Sequence, residues 1–280
     1  MPRGDWNRPD IERVQEGWRR IKLTVSYDGR YYHGWQAQDN AISVQSELER
    51  VLSEVTKSDV SVFGSGRTDA GVHALGQVCH FDTESTIPAE RFMIILNTKL
   101  DKTIRVLSAE DAAPYFHARF STMGREYWYL VKRFPDMLPF DDGRYLFLRE
   151  FPDLERLNGY ASLIFGTHDF TTFASSRDPS ESKCRDIYFS EWDSFRDIYG
   201  CLVLRYRVAG NAFLYHQVRS MVGTMLEASA KNEAIEHFRY RLDSKDRNNA
   251  LRTASSSGLY LARITYDPDE YLWFEERCNG

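Results

Sequence analysis

In "IKLTVSY", Ile21, Leu23, Val25 and Tyr27 face one way and Lys22, Thr24 and Ser26 the other, the period of a half-buried strand. The period then changes. "SVQSELERVLSEV" offers a cap at Ser43 and spaces Val44, Leu48, Val51, Leu52 and Val55 for one helix face. Short strands are expected at 59–63 and 76–82, then a helix over "IPAERFMIILNT" with Pro88 in its first turn, then a strand at "TIRVLSA". The order is β-α-β-β-α-β, the split βαβ arrangement. It recurs downstream: strand "REYWYLVKR", helix 152–165, strands 184–193 and 199–208, a long helix over "NAFLYHQVRSMVGTMLEASA", a helix at 233–241 and strand "LYLARITY". The pattern predicts an α+β chain with two βαββαβ halves, strands joining edge to edge and a cleft between them. A polar extension (1–18) precedes halves at 19–110 and 111–280, and no low-complexity linker divides them.

Composition narrows the class. A chain of 280 residues, 42% hydrophobic, carries a substantial core. A net charge of −5 argues against a wholly basic nucleic-acid coat but leaves room for a local basic groove. Cys79, Cys184, Cys201 and Cys278 lie far apart with no C-x-x-C pair, so neither a disulfide framework nor a zinc ribbon is indicated. The first twenty residues mix five arginines with four acids, and no stretch of about 18 apolar residues is long enough to span a bilayer. A reducing cytoplasm is the expected home.

The richest stretch chemically is "GSGRTDAGVHALGQVCHF", residues 64–81. It lacks the lysine of a Walker loop and the spacing of a dinucleotide fingerprint. Cys79 and His80 point to opposite faces of a strand and cannot chelate one ion together, so no metal is expected. Asp69 sits in a glycine-flanked turn; read alone, an Asx turn outweighs a carboxylate nucleophile. In the helix around 219, Tyr215, Arg219, Val222 and Leu226 share a face. Arg219 there either meets a carboxylate or phosphate, or snorkels to the surface. "HARFSTMGREYWYLVKR" places Arg119, Arg125, Lys132 and Arg133 beside Tyr127 and Tyr129. That combination suits RNA binding, although the tyrosines equally suit a core.

Seven segments together resemble the tRNA pseudouridine synthase A family. "GSGRTDAGVHA" (64–74) is similar to its catalytic loop and "YDGRYYHGWQAQ" (27–38) to its first strand and turn; "FHARFSTMGREYWY" (116–129) is similar to the segment with its active-site tyrosine. "GTHDFTTFASS", "CRDI", "NAFLYHQVRSMVGTMLE" and "GLYLARITY" follow in the family's order, so the resemblance runs from about residue 20 to residue 266. Two loops depart: "LDKT" stands where the family usually has Leu-Pro, and "ASSSGL" where a proline often precedes Gly-Leu.

The resemblance implies two ferredoxin-like halves sharing a central antiparallel sheet, a homodimer, and isomerisation of uridine to pseudouridine at positions 38, 39 and 40 of the tRNA anticodon stem-loop. It implies no cofactor and no metal. Asp69 is then the nucleophile, Arg219 its partner, and Tyr127 the ring that stacks on uracil and assists at C5. Arg67 fills the place of the flipped nucleotide or holds its phosphate, and Arg119, Arg125 and Arg185 are candidates for backbone contacts. The rival readings are a non-catalytic tandem RRM-like RNA binder, which lacks an RNP1 run, an Asp69/His73 hydrolase, which lacks a nucleophilic serine or cysteine, and a relative acting on other uridines.

Overall fold

The computed structural model describes residues 11–267, so the first ten residues of the expected extension, and the acidic 268–280 with Cys278, lie outside it. The chain forms two compact units, Met1–Thr122 and Met123–Gly280. The division falls after Thr122 because the stretch beyond the expected boundary at 110 folds back on the first unit. There Arg20 donates to Phe116 O (2.6 Å) and Ala118 N–H donates to His80 Nδ1 (3.2 Å).

In the first unit β1 (Arg19–Tyr27) leads to helix α1 (Val44–Thr56), then β2 (Phe63–Gly64), β3 (His73–Thr83), α2 (Ala89–Lys99) and β4 (Ile104–Ala112). β1 pairs antiparallel with both β3 and β4, and β2 with β3. The alternation in β1 buries Ile21, Leu23 and Val25 completely. α1 starts where Ser43 and Ser46 form a reciprocal capping box, and it buries Val44, Leu48, Val51 and Leu52. The strand expected at 59–63 shrinks to the two residues of β2. Its earlier amides are taken by side chains of α1: Val60 N–H donates to Ser53 Oγ (3.0 Å) and Val62 N–H to Glu49 Oε1 (2.9 Å).

The second unit runs β5 (Gly124–Arg133), β6 (Leu146–Leu148), α3 (Leu154–Ser162), β7 (Gly166–Asp169), β8 (Cys184–Arg196), β9 (Leu202–Gly210), α4 (Gln217–Ala230), α5 (Ile235–Asp243) and β10 (Leu259–Thr265). Its strands lie in the order β10-β5-β9-β8-β7, antiparallel throughout, with β6 added parallel to β5. With each unit's four core strands numbered along the chain, the strands of both units read 4-1-3-2. The repeat expected from hydrophobic patterning is therefore real in topology.

Helix α4 begins six residues later than "NAFLYHQ" suggests, at Gln217. His216 holds a left-handed φ of 65°, and Leu214 N–H donates to Gln217 Oε1 (2.8 Å), so residues 211–216 form a turn that the helix cannot enter. From there α4 is buried on nearly every side. The Trp192 indole N–H points at Met225 Sδ (3.5 Å), placing α4 on the sheet face that carries Trp192. Tyr206 opposes both Trp192 and Tyr129 in register, so Tyr129, and with it Tyr127 two residues away, faces α4.

Candidate active site

The loop 64–72 is bent by its surroundings more than by its own sequence. Trp35 N–H donates to Thr68 O (3.1 Å), and the Thr68 hydroxyl bonds the buried Tyr27 hydroxyl (2.7 Å). Fully buried Gln77 donates to Gly66 O (2.7 Å), and Ser65 is tied to Val78 O (2.8 Å) by its amide and to Thr122 Oγ1 (2.7 Å) by its hydroxyl. Gly34, at φ 89°, lets the loop before α1 approach: a Cβ there would stand 2.5 Å from Thr68 O. Asp69 then opens a turn closed by Val72 N–H donating to Asp69 O (3.1 Å), with Gly71 at φ 79°. The carboxylate is half-buried on a backbone fixed at both ends, and Arg67 is exposed two residues before it. Asp69 and Arg67 are thus presented by one clamped loop of the first unit.

Tyr127 and Arg219 belong to the second unit. Tyr127, 8% exposed, meets Phe213 edge-on (centroids 5.1 Å apart), in the turn that leads into α4. Arg219 is half-exposed on an otherwise buried helix, and its Nε donates to Ala254 O (2.9 Å). Its guanidinium does not simply snorkel into water; the backbone of a neighbouring segment holds one edge of it. Tyr129 is fully buried, and burial pushes its phenol up, opposed by the charges of Arg219 and Arg252.

The RNA-contact candidates divide. Arg119 is exposed and lies over the Phe120 ring (5.6 Å to the centroid). Arg125 donates to Asn211 O (2.8 Å), which ties β5 to the turn before α4. Arg185 donates to Ser182 O (2.9 Å) and Cys184 O (2.6 Å), and burial lowers its pKa. Both Arg125 and Arg185 thus carry structural bonds alongside any contact with RNA.

The remaining polar groups of the stretch serve structure. His73 Nδ1 accepts Gly29 N–H (3.1 Å), which argues against a hydrolytic pairing with Asp69. Cys79 is fully buried and its thiol is pushed up by burial; His80, on the opposite face, stacks on Phe63 (5.2 Å). Among the described residues no group of three or more His, Cys, Asp or Glu is arranged to hold a metal ion, and no helix is long and apolar enough to cross a membrane. A surface cavity of about 420 Å³ in the second unit is lined by Phe140, Arg144, Ile198 and Tyr199 among others, none of them a candidate residue.

Sequence reasoning missed the second layer: Tyr27, Trp35, Gln77 and Thr122 around the loop, and Phe213 against Tyr127. Tyr27, Trp35, Thr122 and Phe213 lay within segments already marked by resemblance, and Gln77 within the stretch singled out for its chemistry, yet none gave a pattern of its own, because each partner lies well away in sequence.

A duplicated α+β frame that carries a carboxylate on a clamped, arginine-flanked loop is the class that the fold and this loop define. Comparison with known proteins narrows the class. A family model described as tRNA pseudouridine synthase matches residues 23–121 and 161–267. The tRNA pseudouridine synthase A of Bacillus pumilus (strain SAFR-032) is 40% identical over 257 residues, spanning 89% of this chain and 99% of that protein. That of Bacillus subtilis (strain 168) is 40% identical over 252 residues, again spanning 89% of this chain and 99% of its own length. The chain belongs to the tRNA pseudouridine synthase family. It is an isomerase, converting uridine to pseudouridine in tRNA.

Proposed function

We propose that this chain modifies positions 38, 39 and 40 of the tRNA anticodon stem-loop, with Asp69 as nucleophile. The observation that carries the reading is the clamped loop, which fixes the Asp69 backbone while leaving its side chain half-exposed. The reaction breaks the N1–C1′ bond, turns the uracil and joins C5 to C1′. The proton lost from C5 is balanced by one gained at N1, so neither redox change nor energy input is required. The target uridine leaves the stack first, and Arg67 fills its place or holds its phosphate. Asp69 forms the covalent intermediate, and Arg219 pairs with it and keeps it ionised. Tyr127 stacks on the uracil and assists proton removal at C5. Arg119, Arg125 and Arg185 contact the RNA backbone. The division into an N-terminal unit bearing the loop and a C-terminal unit bearing Tyr127 and Arg219 belongs to the same proposal, as do a homodimeric assembly and a cytoplasmic location.

The test is to incubate the protein with unmodified tRNA transcripts and map pseudouridine by position. Product at 38–40 supports the reading, and product confined to other uridines removes the stem-loop assignment. Asp69→Ala is expected to abolish product while tRNA binding stays near normal; substantial turnover in that variant would end the nucleophile role.

A further inference from the structure

The segment from Leu251 to Gly258 crosses the second unit between α4 and β5, and both sides stitch it down. On the α4 side, Leu251 N–H donates to Thr224 Oγ1 (3.2 Å) and Arg252 N–H to Glu227 Oε2 (3.1 Å). Arg219 closes a reciprocal clamp: its Nε donates to Ala254 O (2.9 Å), and its own carbonyl accepts Ala254 N–H (3.0 Å). On the β5 side, the Tyr129 hydroxyl donates to Ser255 O (2.8 Å) and Leu130 N–H to Gly258 O (2.8 Å). With its phenol pushed up by burial, Tyr129 keeps the proton it donates.

Two glycines admit the segment this closely. A Cβ on Gly223 would stand 1.8 Å from Arg252 O and 2.7 Å from Ala254 N, and one on Gly258 would stand 2.7 Å from Leu130 O. No side chain fits at either approach. Serines stiffen the run: the Ser255 and Ser257 hydroxyls bond each other (2.7 Å), Ser257 N–H donates to Ser255 Oγ (3.3 Å), and Leu259 N–H donates to Ser256 O (2.9 Å).

We propose that this segment is a strap that aims the Arg219 guanidinium, making Gly223 and Tyr129 positioning residues for the isomerisation. Gly223 sets the depth of the strap against α4, and Tyr129 fixes Ser255 next to the carbonyl that Arg219 uses. With Nε held on Ala254 O, one edge of the guanidinium is pinned, which narrows the directions open to its terminal nitrogens. An error of about 1 Å in such aim costs on the order of 100-fold in rate. The inference rests on the reading of Arg219 as the partner of the nucleophile.

Steady-state kinetics on a tRNA transcript, below the melting temperature of each variant, test it. Tyr129→Phe removes one hydroxyl and is expected to lower kcat about tenfold with KM for tRNA unchanged; Gly223→Ala is expected to lower kcat about 100-fold. Arg219→Lys loses the Nε donor, so adding Tyr129→Phe to it should cost little more. Wild-type kcat in Tyr129→Phe and Gly223→Ala beside an inactive Arg219→Ala overturns the strap while leaving the role of Arg219 standing. So does a Tyr129→Phe loss of equal size in the Arg219→Lys background, which is the mark of a general packing effect. Normal rates in Arg219→Ala overturn the role of Arg219 itself, and the strap with it.

Discussion

Next to Asp69, Thr68 places its hydroxyl on Tyr27 and its carbonyl on Trp35 N–H. A carboxylate on a free loop samples many directions, whereas one on a loop held at this spacing keeps few. Thr68→Val preserves shape and removes one buried hydrogen bond, leaving the Tyr27 hydroxyl without this partner. The expected cost is about 1–3 kcal/mol of stability, with kcat reduced more than KM for tRNA; denaturant titration and single-turnover kinetics check both. Asp69 stood out as the proposed nucleophile in "GSGRTDAGVHA" only through the family it resembles, because a lone Asp in a glycine-flanked turn reads first as an Asx turn. The bonds that hold its loop were not legible. Gln77 reaches back to Gly66 and Thr122 to Ser65, and no local period records such pairings.

Elements with a strong period were read correctly. β1 buries the face that the pattern assigns, α1 buries all of its assigned face but Val55, which is half-buried in the last turn, and Ser43 caps α1 as expected. Ser43→Ala removes the capping oxygen and is expected to lower stability by about 1 kcal/mol, seen as a shift in denaturant midpoint at constant slope. The shortened β2 and the late start of α4 share a cause, since in each a side chain competes with regular backbone pairing. Ser53 and Glu49 take amides that a longer β2 needs, and Gln217 takes the Leu214 amide that a longer α4 would use. The short strands β6 and β7 are too brief for a period to form. Arg219 was left open between pairing and snorkelling by spacing alone, and the bond from its Nε to Ala254 O is a contact that spacing does not encode.

Across the molecule, pH acts most directly through His80. Its ring is held neutral, accepting Ala118 N–H, and its pKa is lowered to about 3 by burial first, then by Arg20 and His117, with Asp82 opposing. An unfolded histidine titrates near 6.5, at about its ordinary value. Between those values the unfolded chain binds a proton that the folded chain refuses, so stability rises with pH across the window and is lost as pH falls below about 6.5. Asp178 has the same sense at lower pH: against burial, which raises it, Lys183 and the Tyr215 and Ser180 amides hold its carboxyl at about 2, so its contribution is lost only as pH falls below the ordinary carboxylate range. Denaturant midpoints at pH 7 and pH 5 should therefore differ. His80→Asn, with an amide oxygen in place of Nδ1, should flatten the difference; an unchanged slope would assign it to other groups.

The 4-1-3-2 order also bears on the sequence in which a growing chain becomes a protein. Every strand of the first unit is made by Ala112, and the return through Phe116 and Ala118 is complete by Thr122. That unit has all its parts before β5 begins at Gly124. In the second unit β5, the first strand made, lies beside β10, the last. During synthesis one long edge of β5 waits for more than a hundred residues before β10 covers it, and an uncovered strand edge is where neighbouring chains join. Translation thus completes the strands of one half early and leaves the other half waiting with an open β5 edge, and a ribosome stalled before Leu259 would release the form in which that edge is bare.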